Sequence, residues 1–145
     1  MVKPMNKYEA LKLKYQLCFP LYCASKEVIR RYRPLLERLN LTYTQYITMM
    51  AFWEYKSLNV KELGKLLMLD SGTLSPLLKS LEAKKFVARV KSEKDNREVI
   101  FVITDEGESL KERAVEIPQE IAGCISLSFD EAKQLHVLLN KILEK

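Results

Sequence analysis

Apolar residues recur at helical spacing along most of the chain, and the pattern changes to β-branched runs near its middle. Cys18 to Tyr32 reads as a helix on the stripe Leu21, Tyr22, Val28, Ile29 and Tyr32. Proline is best tolerated in a first turn, so Pro20 sets the start of this helix and leaves Cys18 at its N-terminal end. By the same rule Pro34 starts a short separate helix through Leu39. Thr42 caps the next, where Tyr46, Met49, Met50 and Trp53 are core positions. Asn59 caps Val60–Leu67, and after a few connecting residues Asp70 or Ser71 opens a helix to about Lys84. Leu63, Leu66 and Leu67 on the first helix and Leu74, Leu77, Leu78 and Leu81 on the second face inward. Ser71, Thr73, Ser75 and Lys79 are left outside. Pro76 runs against this placement, because helix rules alone start the second helix at Ser75. Two strands follow, Phe86–Val90 and Val99–Ile103, around the charged turn Lys91–Glu98. Thr104 caps a long helix interrupted at Pro118. Ser128 opens a last one, with Phe129, Leu135, Leu139 and Ile142 apolar. That stripe needs cover, from a symmetry mate or from the chain's own core.

The length of 145 residues and 48% hydrophobic content fit one domain, residues 1–145. No apolar stretch approaches the length of a membrane span, and Met1–Asn6 leads into a charged segment, so a cytoplasmic protein is expected. Three cysteines without ligand spacing indicate neither a disulfide framework nor a metal site, and no cofactor is implied. His136, the one histidine, has no second ligand of its kind and is assigned no role. The net charge of +5 permits a nucleic-acid partner without establishing one. Its distribution adds more: residues 79–97 hold seven Lys/Arg against three Asp/Glu, whereas residues 104–145 hold five against nine. A basic run by itself is usually a solvated face. A helix-turn-helix followed at once by a β-hairpin reverses that weighting toward DNA.

The segments Leu17-Cys-Phe19, Leu41-Thr-Tyr-Thr-Gln-Tyr46, Leu69-Asp-Ser-Gly-Thr-Leu-Ser-Pro-Leu-Leu-Lys79 and Ser92-Glu-Lys-Asp-Asn-Arg97 together resemble the MarR-type winged-helix regulators, within them the organic hydroperoxide resistance repressors. The resemblance implies a mainly α fold with a small β-wing. Residues of about 42–103 would form the DNA-binding lobe, and about 1–41 and 104–145 the dimerisation helices of a homodimer. A dyad-related pair of recognition helices would enter successive major grooves about 34 Å apart on a pseudo-palindromic double-stranded operator. It directs Ser71, Thr73, Ser75 and Lys79 toward bases and phosphates, Lys91 and Lys94 toward phosphates, and Arg97 into the minor groove with Asp95 orienting its guanidinium.

The same resemblance makes Cys18 a sensor of organic hydroperoxide, with Tyr32 and Tyr43 as thiolate-binding tyrosines, one of them supplied by the partner chain, and Tyr22 near the pocket. A helix N-terminus and tyrosine hydroxyls both favour a charged sulfur. Phe19, Leu21, Met50 and Trp53 would admit an apolar peroxide tail. Cys124 matches the region of a resolving cysteine, displaced by about one residue, a rotation of roughly 100° on a helix. A buried, inert thiol is its other reading. Cys23, five residues from Cys18, is assigned to core packing. Two further functions stay open: the same DNA-binding module released by a non-covalent small organic ligand, and a thiol peroxidase. The last has no clear acid–base pair beside the thiol and no use for a basic wing, so no enzyme is expected.

Overall fold

A computed structural model of the chain describes residues 6–95 and 97–144. Two short 3-10 turns, Glu9–Leu11 and Leu13–Tyr15, precede α1 (Cys18–Glu37). Then follow α2 (Tyr43–Tyr55), β1 (Ser57–Asn59), α3 (Val60–Leu67), α4 (Ser71–Ala83), β2 (Val87–Lys91), β3 (Val99–Ile103) and α5 (Asp105–Ala114), which complete a first unit ending at Val115. A second unit begins at Glu116 and holds α6 (Ile117–Cys124) and α7 (Phe129–Leu143).

Side-chain caps start most of these helices. Thr42 and Gln45, Asn59 and Glu62, and Ser128 and Glu131 form reciprocal capping boxes. Asp70 caps α4 and Thr104 caps α5. Each cap satisfies amides that the first turn leaves without a helical partner.

One proline departs from expectation. Pro34 starts no helix; α1 runs through it to Glu37. Proline deprives the Arg30 carbonyl of its usual donor, but Arg30 and Pro34 are both exposed, so water can replace that donor. Leu36, just beyond, is buried and holds the helix end against the core. Asn40, in the left-handed conformation at φ 54°, then turns the chain toward Thr42. Pro76 lies inside α4, within the helix expected from Asp70 or Ser71 to about Lys84.

The core of the first unit is built from Leu36, Met49, Phe52, Leu63, Leu74, Leu78, Leu81 and Val87, all essentially without solvent contact. Burying each large aliphatic side chain is worth about 1.5–3 kcal/mol. Leu66 and Met50, expected inside, are exposed. Each lies at the edge of its helix's apolar arc, where no facing element covers it. Between α3 and α4 the turn passes so close that a Cβ on Gly64 would stand 2.9 Å from the Leu69 carbonyl oxygen. Met68, at φ 53°, makes the reversal.

The strand pair expected from sequence is present, joined by a third strand too short to announce itself. Antiparallel order is β1-β3-β2, with Leu58 opposite Phe101 and Val87 opposite Ile103. β1 thus fastens the hairpin to the segment between α2 and α3.

Candidate functional site

α4 divides cleanly by face. Leu74, Leu77, Leu78 and Leu81 are buried, while Ser71, Thr73, Ser75 and Lys79 are all exposed. Ser71, Ser75 and Lys79 follow one another at four-residue steps and so form a single ridge. At 100° per residue Thr73 lies roughly 120–160° from that ridge, on the other flank of the leucine face. The Ser75 hydroxyl donates to the Ser71 carbonyl at 2.8 Å, which leaves its lone pairs outward as acceptors. The Asp70 carboxylate accepts from the Thr73 backbone N–H at 2.8 Å, and this bond holds its carboxyl below the ordinary range.

The hairpin turn is built around Ser92, which is buried and accepts from the Lys94 and Asp95 backbone N–H groups at 3.2 and 3.4 Å. Asp95 Oδ1 accepts from the backbone N–H of Arg97 at 2.9 Å. The Asp95 side chain thereby ties down the Arg97 main chain, a short aspartate two residues upstream closing an Asx turn. Lys91, Lys94 and Arg97 are exposed around it; Asn96 lies outside the described residues. Some of the basic run is engaged within the fold. Arg89 stands over the Phe101 ring at 5.4 Å and 3.7 Å from the Glu82 carboxylate, and Lys84 donates to the Asn40 carbonyl and to Gln45.

Cys18 opens α1 and is exposed, as are Phe19, Leu21 and Tyr22 nearby. Lys26 Nζ lies 3.4 Å from the Tyr22 hydroxyl and 5.0 Å from its ring centroid. Cys23 is exposed too, contrary to its expected core position, because α1 buries no residue before Leu36. With Tyr22, Lys26 and Arg30 it lines a groove of 610 Å³.

The tyrosines meet elsewhere. The Tyr32 ring lies 5.0 Å from Tyr43 and 5.8 Å from Tyr46, and Tyr46 meets Trp53 edge-on at 6.2 Å. Trp53, expected near the thiol, is committed to this stack and to the Gly107 carbonyl, to which its indole donates at 2.8 Å. Burial, then the neighbouring Tyr43 and Tyr46, pushes the Tyr32 hydroxyl up to about 12; burial raises Tyr46 as well. Both stay protonated donors at neutral pH. Beside them a cleft of 340 Å³ is lined by Ile29, Leu36, Leu41, Arg33, Thr42 and Tyr43. Arg33 carries no motif that marks it for this place, and Tyr46 is legible only as a core position of the Leu41–Tyr46 segment. Cys18 and Tyr32 share one continuous helix fourteen residues apart, a separation of about 21 Å along the axis. One chain therefore holds the thiol and the tyrosine cluster at opposite ends of α1. Cys124 is exposed at the end of α6, in the second unit.

Residues 30–114, from the second half of α1 to the end of α5, match the family model of the transcriptional regulators SarA/Rot. The chain belongs to this family of winged-helix transcriptional regulators. It is 45% identical over 139 residues to the organic hydroperoxide resistance transcriptional regulator of Bacillus subtilis, covering 96% of this chain and 95% of the relative. The expected branch is thereby borne out. AbfR of Staphylococcus epidermidis, solved in its reduced state bound to DNA, superposes with a TM-score of 0.78 at 33% identity, over 95% of this chain and 96% of that one. Reduced MarR from E. coli gives 0.71 at 26% identity, over 89% and 97%, which agrees with the MarR-type winged helix. Among the described residues no helix is long and apolar enough to cross a membrane, and none group as a metal site.

Proposed function

We propose that this regulator is a homodimeric repressor that binds a pseudo-palindromic operator and releases it when organic hydroperoxide oxidises Cys18. The observation that carries the sensing role is the separation of about 21 Å between Cys18 and Tyr32 on one rigid helix. A thiol so placed reaches a tyrosine cluster of this kind by taking that of a second copy. The partner subunit's Tyr32 and Tyr43 would then donate to the Cys18 thiolate, with Tyr22 nearby. In the first step the thiolate sulfur attacks one peroxide oxygen: an S–O bond forms, the O–O bond breaks, and the alkoxide leaves as an alcohol after taking a proton. The resulting sulfenic acid no longer offers the charge that the hydroxyls bound. Attack by the Cys124 thiolate on the sulfenic sulfur would form the S–S bond and break the S–O bond, the hydroxide leaving as water after taking a proton.

On DNA, residues 42–103 act as the reading lobe, with residues 1–41 and 104–145 forming the dimer. Ser71, Ser75 and Lys79 face the major groove, with Thr73 at its flank. Lys91 and Lys94 hold phosphates, and Arg97 enters the minor groove from a turn braced by Asp95. The work is stoichiometric regulation in the cytoplasm, not catalysis. The likeness to a reduced, DNA-bound AbfR and to a hydroperoxide resistance regulator supports this assignment. The 340 Å³ cleft beside Tyr43 favours a second reading, in which a non-covalent small organic ligand triggers release.

Operator binding before and after stoichiometric cumene hydroperoxide, for wild type, Cys18→Ser and Cys124→Ser, separates the two. Under the redox reading wild type is released and Cys18→Ser stays bound, while Cys124→Ser reports whether disulfide formation is needed. Release of Cys18→Ser by an added ligand, with wild type indifferent to peroxide, establishes the second reading instead.

A further inference from the structure

Buried polar side chains are few in the first unit, and one of them connects the tyrosine cluster to the DNA-facing helix. Gln45 is buried in the first turn of α2, while Ser80 and Lys84, at the end of α4, are half-buried. Gln45 Oε1 accepts from the Thr42 backbone N–H at 3.1 Å and from Lys84 Nζ at 3.0 Å. Its Nε2 donates to Ser80 Oγ at 3.0 Å. Lys84 Nζ donates also to the Asn40 carbonyl at 2.5 Å, and burial holds this lysine below its ordinary range. One amide thus joins the N-cap of α2 to α4, and one ammonium joins the C-cap of α4 to the turn that leads into α2.

Tyr43 lies between the two members of the capping box, Thr42 and Gln45, with its ring against Tyr32. A main-chain displacement at Tyr43 is shared with the box on either side of it. The box's partners outside α2 are Ser80 and Lys84, on α4 and its C-cap, the helix that presents Ser71, Ser75 and Lys79. A buried amide that loses a partner is costly, so this junction favours distinct arrangements over graded slippage.

We infer that Gln45, Ser80 and Lys84 are positioning residues that transmit a change at the tyrosine cluster to the position of the recognition helix. The inference rests on the proposed reading of the chain as a Cys18-oxidised, DNA-binding regulator, and assigns no contact with DNA or peroxide to these three side chains.

The test uses full-length protein and a duplex selected from random DNA by the reduced wild type. It reads how many fold stoichiometric cumene hydroperoxide weakens binding, with the thermal midpoint measured in parallel. In Gln45→Leu and Lys84→Met that weakening is expected to shrink on the order of tenfold relative to wild type. Gln45→Glu keeps the wild-type response, because its carboxylate still accepts from Lys84 and Thr42 and can accept the Ser80 hydroxyl proton. Any direct effect of the lost lysine charge on DNA acts before and after oxidation alike and cancels in the ratio. A purely structural role would lower the midpoint and leave the ratio unchanged; that result, with wild type still released, overturns the junction and spares the proposed function. If peroxide does not release wild type, the sensing reading fails and the junction fails with it. Should Gln45→Leu not fold, Lys84→Met, altered at a half-exposed side chain, decides.

Discussion

α4 and α7 begin alike and end differently. Each opens on a side-chain cap, Asp70 in one and Ser128 in the other, and each carries leucines at helical spacing. Yet α4 buries Leu74, Leu77, Leu78 and Leu81, while no described residue of α7 is buried, and Phe129 is 82% exposed. Local sequence makes both helices; what differs is whether another element covers the stripe. An uncovered stripe of Leu135, Leu138 and Ile142 suits a second copy of the chain, as the proposed dimer requires.

The largest expected effect breaks this contrast at its strongest point. Leu81→Ala removes a side chain without solvent contact and leaves a cavity, so the unfolding free energy should fall by about 2–5 kcal/mol. Chemical denaturation should show a lower midpoint with an unchanged slope. The same truncation at half-exposed Leu138 should instead raise the concentration at which the dimer dissociates, by about three- to tenfold in sedimentation. A concentration-independent loss at Leu138 as large as at Leu81 would mean that the chain covers its own α7.

The same division explains what was legible beforehand. Caps announce themselves because their chemistry is local: Thr42, Asn59, Asp70, Thr104 and Ser128 all stand where sequence placed them. The leucines of α4 were legible through their spacing. Pro34 misled, since the proline rule knows nothing of the buried side chains that hold a helix together around it, whereas the helix expected across Pro76 formed. Leu66 and Met50 misled for the opposite reason, as periodicity marks an apolar arc without saying how much of it is covered. The candidate site was legible in its residue types and only partly in its geometry. That Asp95 bonds the Arg97 main chain, or that Trp53 is spent on Gly107, depends on how a turn and a helix pair close in space. Gln45 has no role assigned from sequence beyond its place in the Leu41–Tyr46 segment, and its reach to Ser80 is a tertiary fact.

α1 lies between the two extremes, covered at Leu36 and open at Cys18, and Tyr32 sits at the transition. With its hydroxyl raised to about 12, the native state holds this proton where the unfolded chain, with a value near the ordinary 10, has lost it. The contribution to stability is thus complete below about pH 10 and disappears as pH rises through 12. For a half-buried ring, allowing for solvent screening, that amounts to about 1 kcal/mol. Tyr32→Phe should remove this alkaline loss in denaturation series between pH 9 and 12. An identical alkaline slope in wild type and variant would show that the ring is as open as the Cys18 end of the helix.

The smallest effect compares the two caps themselves. Backbone N–H donation from Thr73 lowers the Asp70 carboxyl, and donation from Ser128 lowers Glu131 in the same way. Depressed carboxyls stabilise fully above their unfolded values, and the contribution is lost as pH falls through the native ones. Acidification from pH 6 to 3 should therefore lower the thermal midpoint of wild type more steeply than that of Asp70→Asn or Glu131→Gln, which carry no titrating group there. The two variants should differ. Leucines of α4 lie in the core, so its cap is read in the global transition. Below the concentration at which the dimer dissociates, where the comparison is made, α7 has no buried side chain to couple its cap to that transition. Asp70→Asn should flatten the acid slope more than Glu131→Gln. The reverse order would place α7, and not α4, inside the cooperative unit, and the contrast between a covered and an uncovered helix would have to be given up.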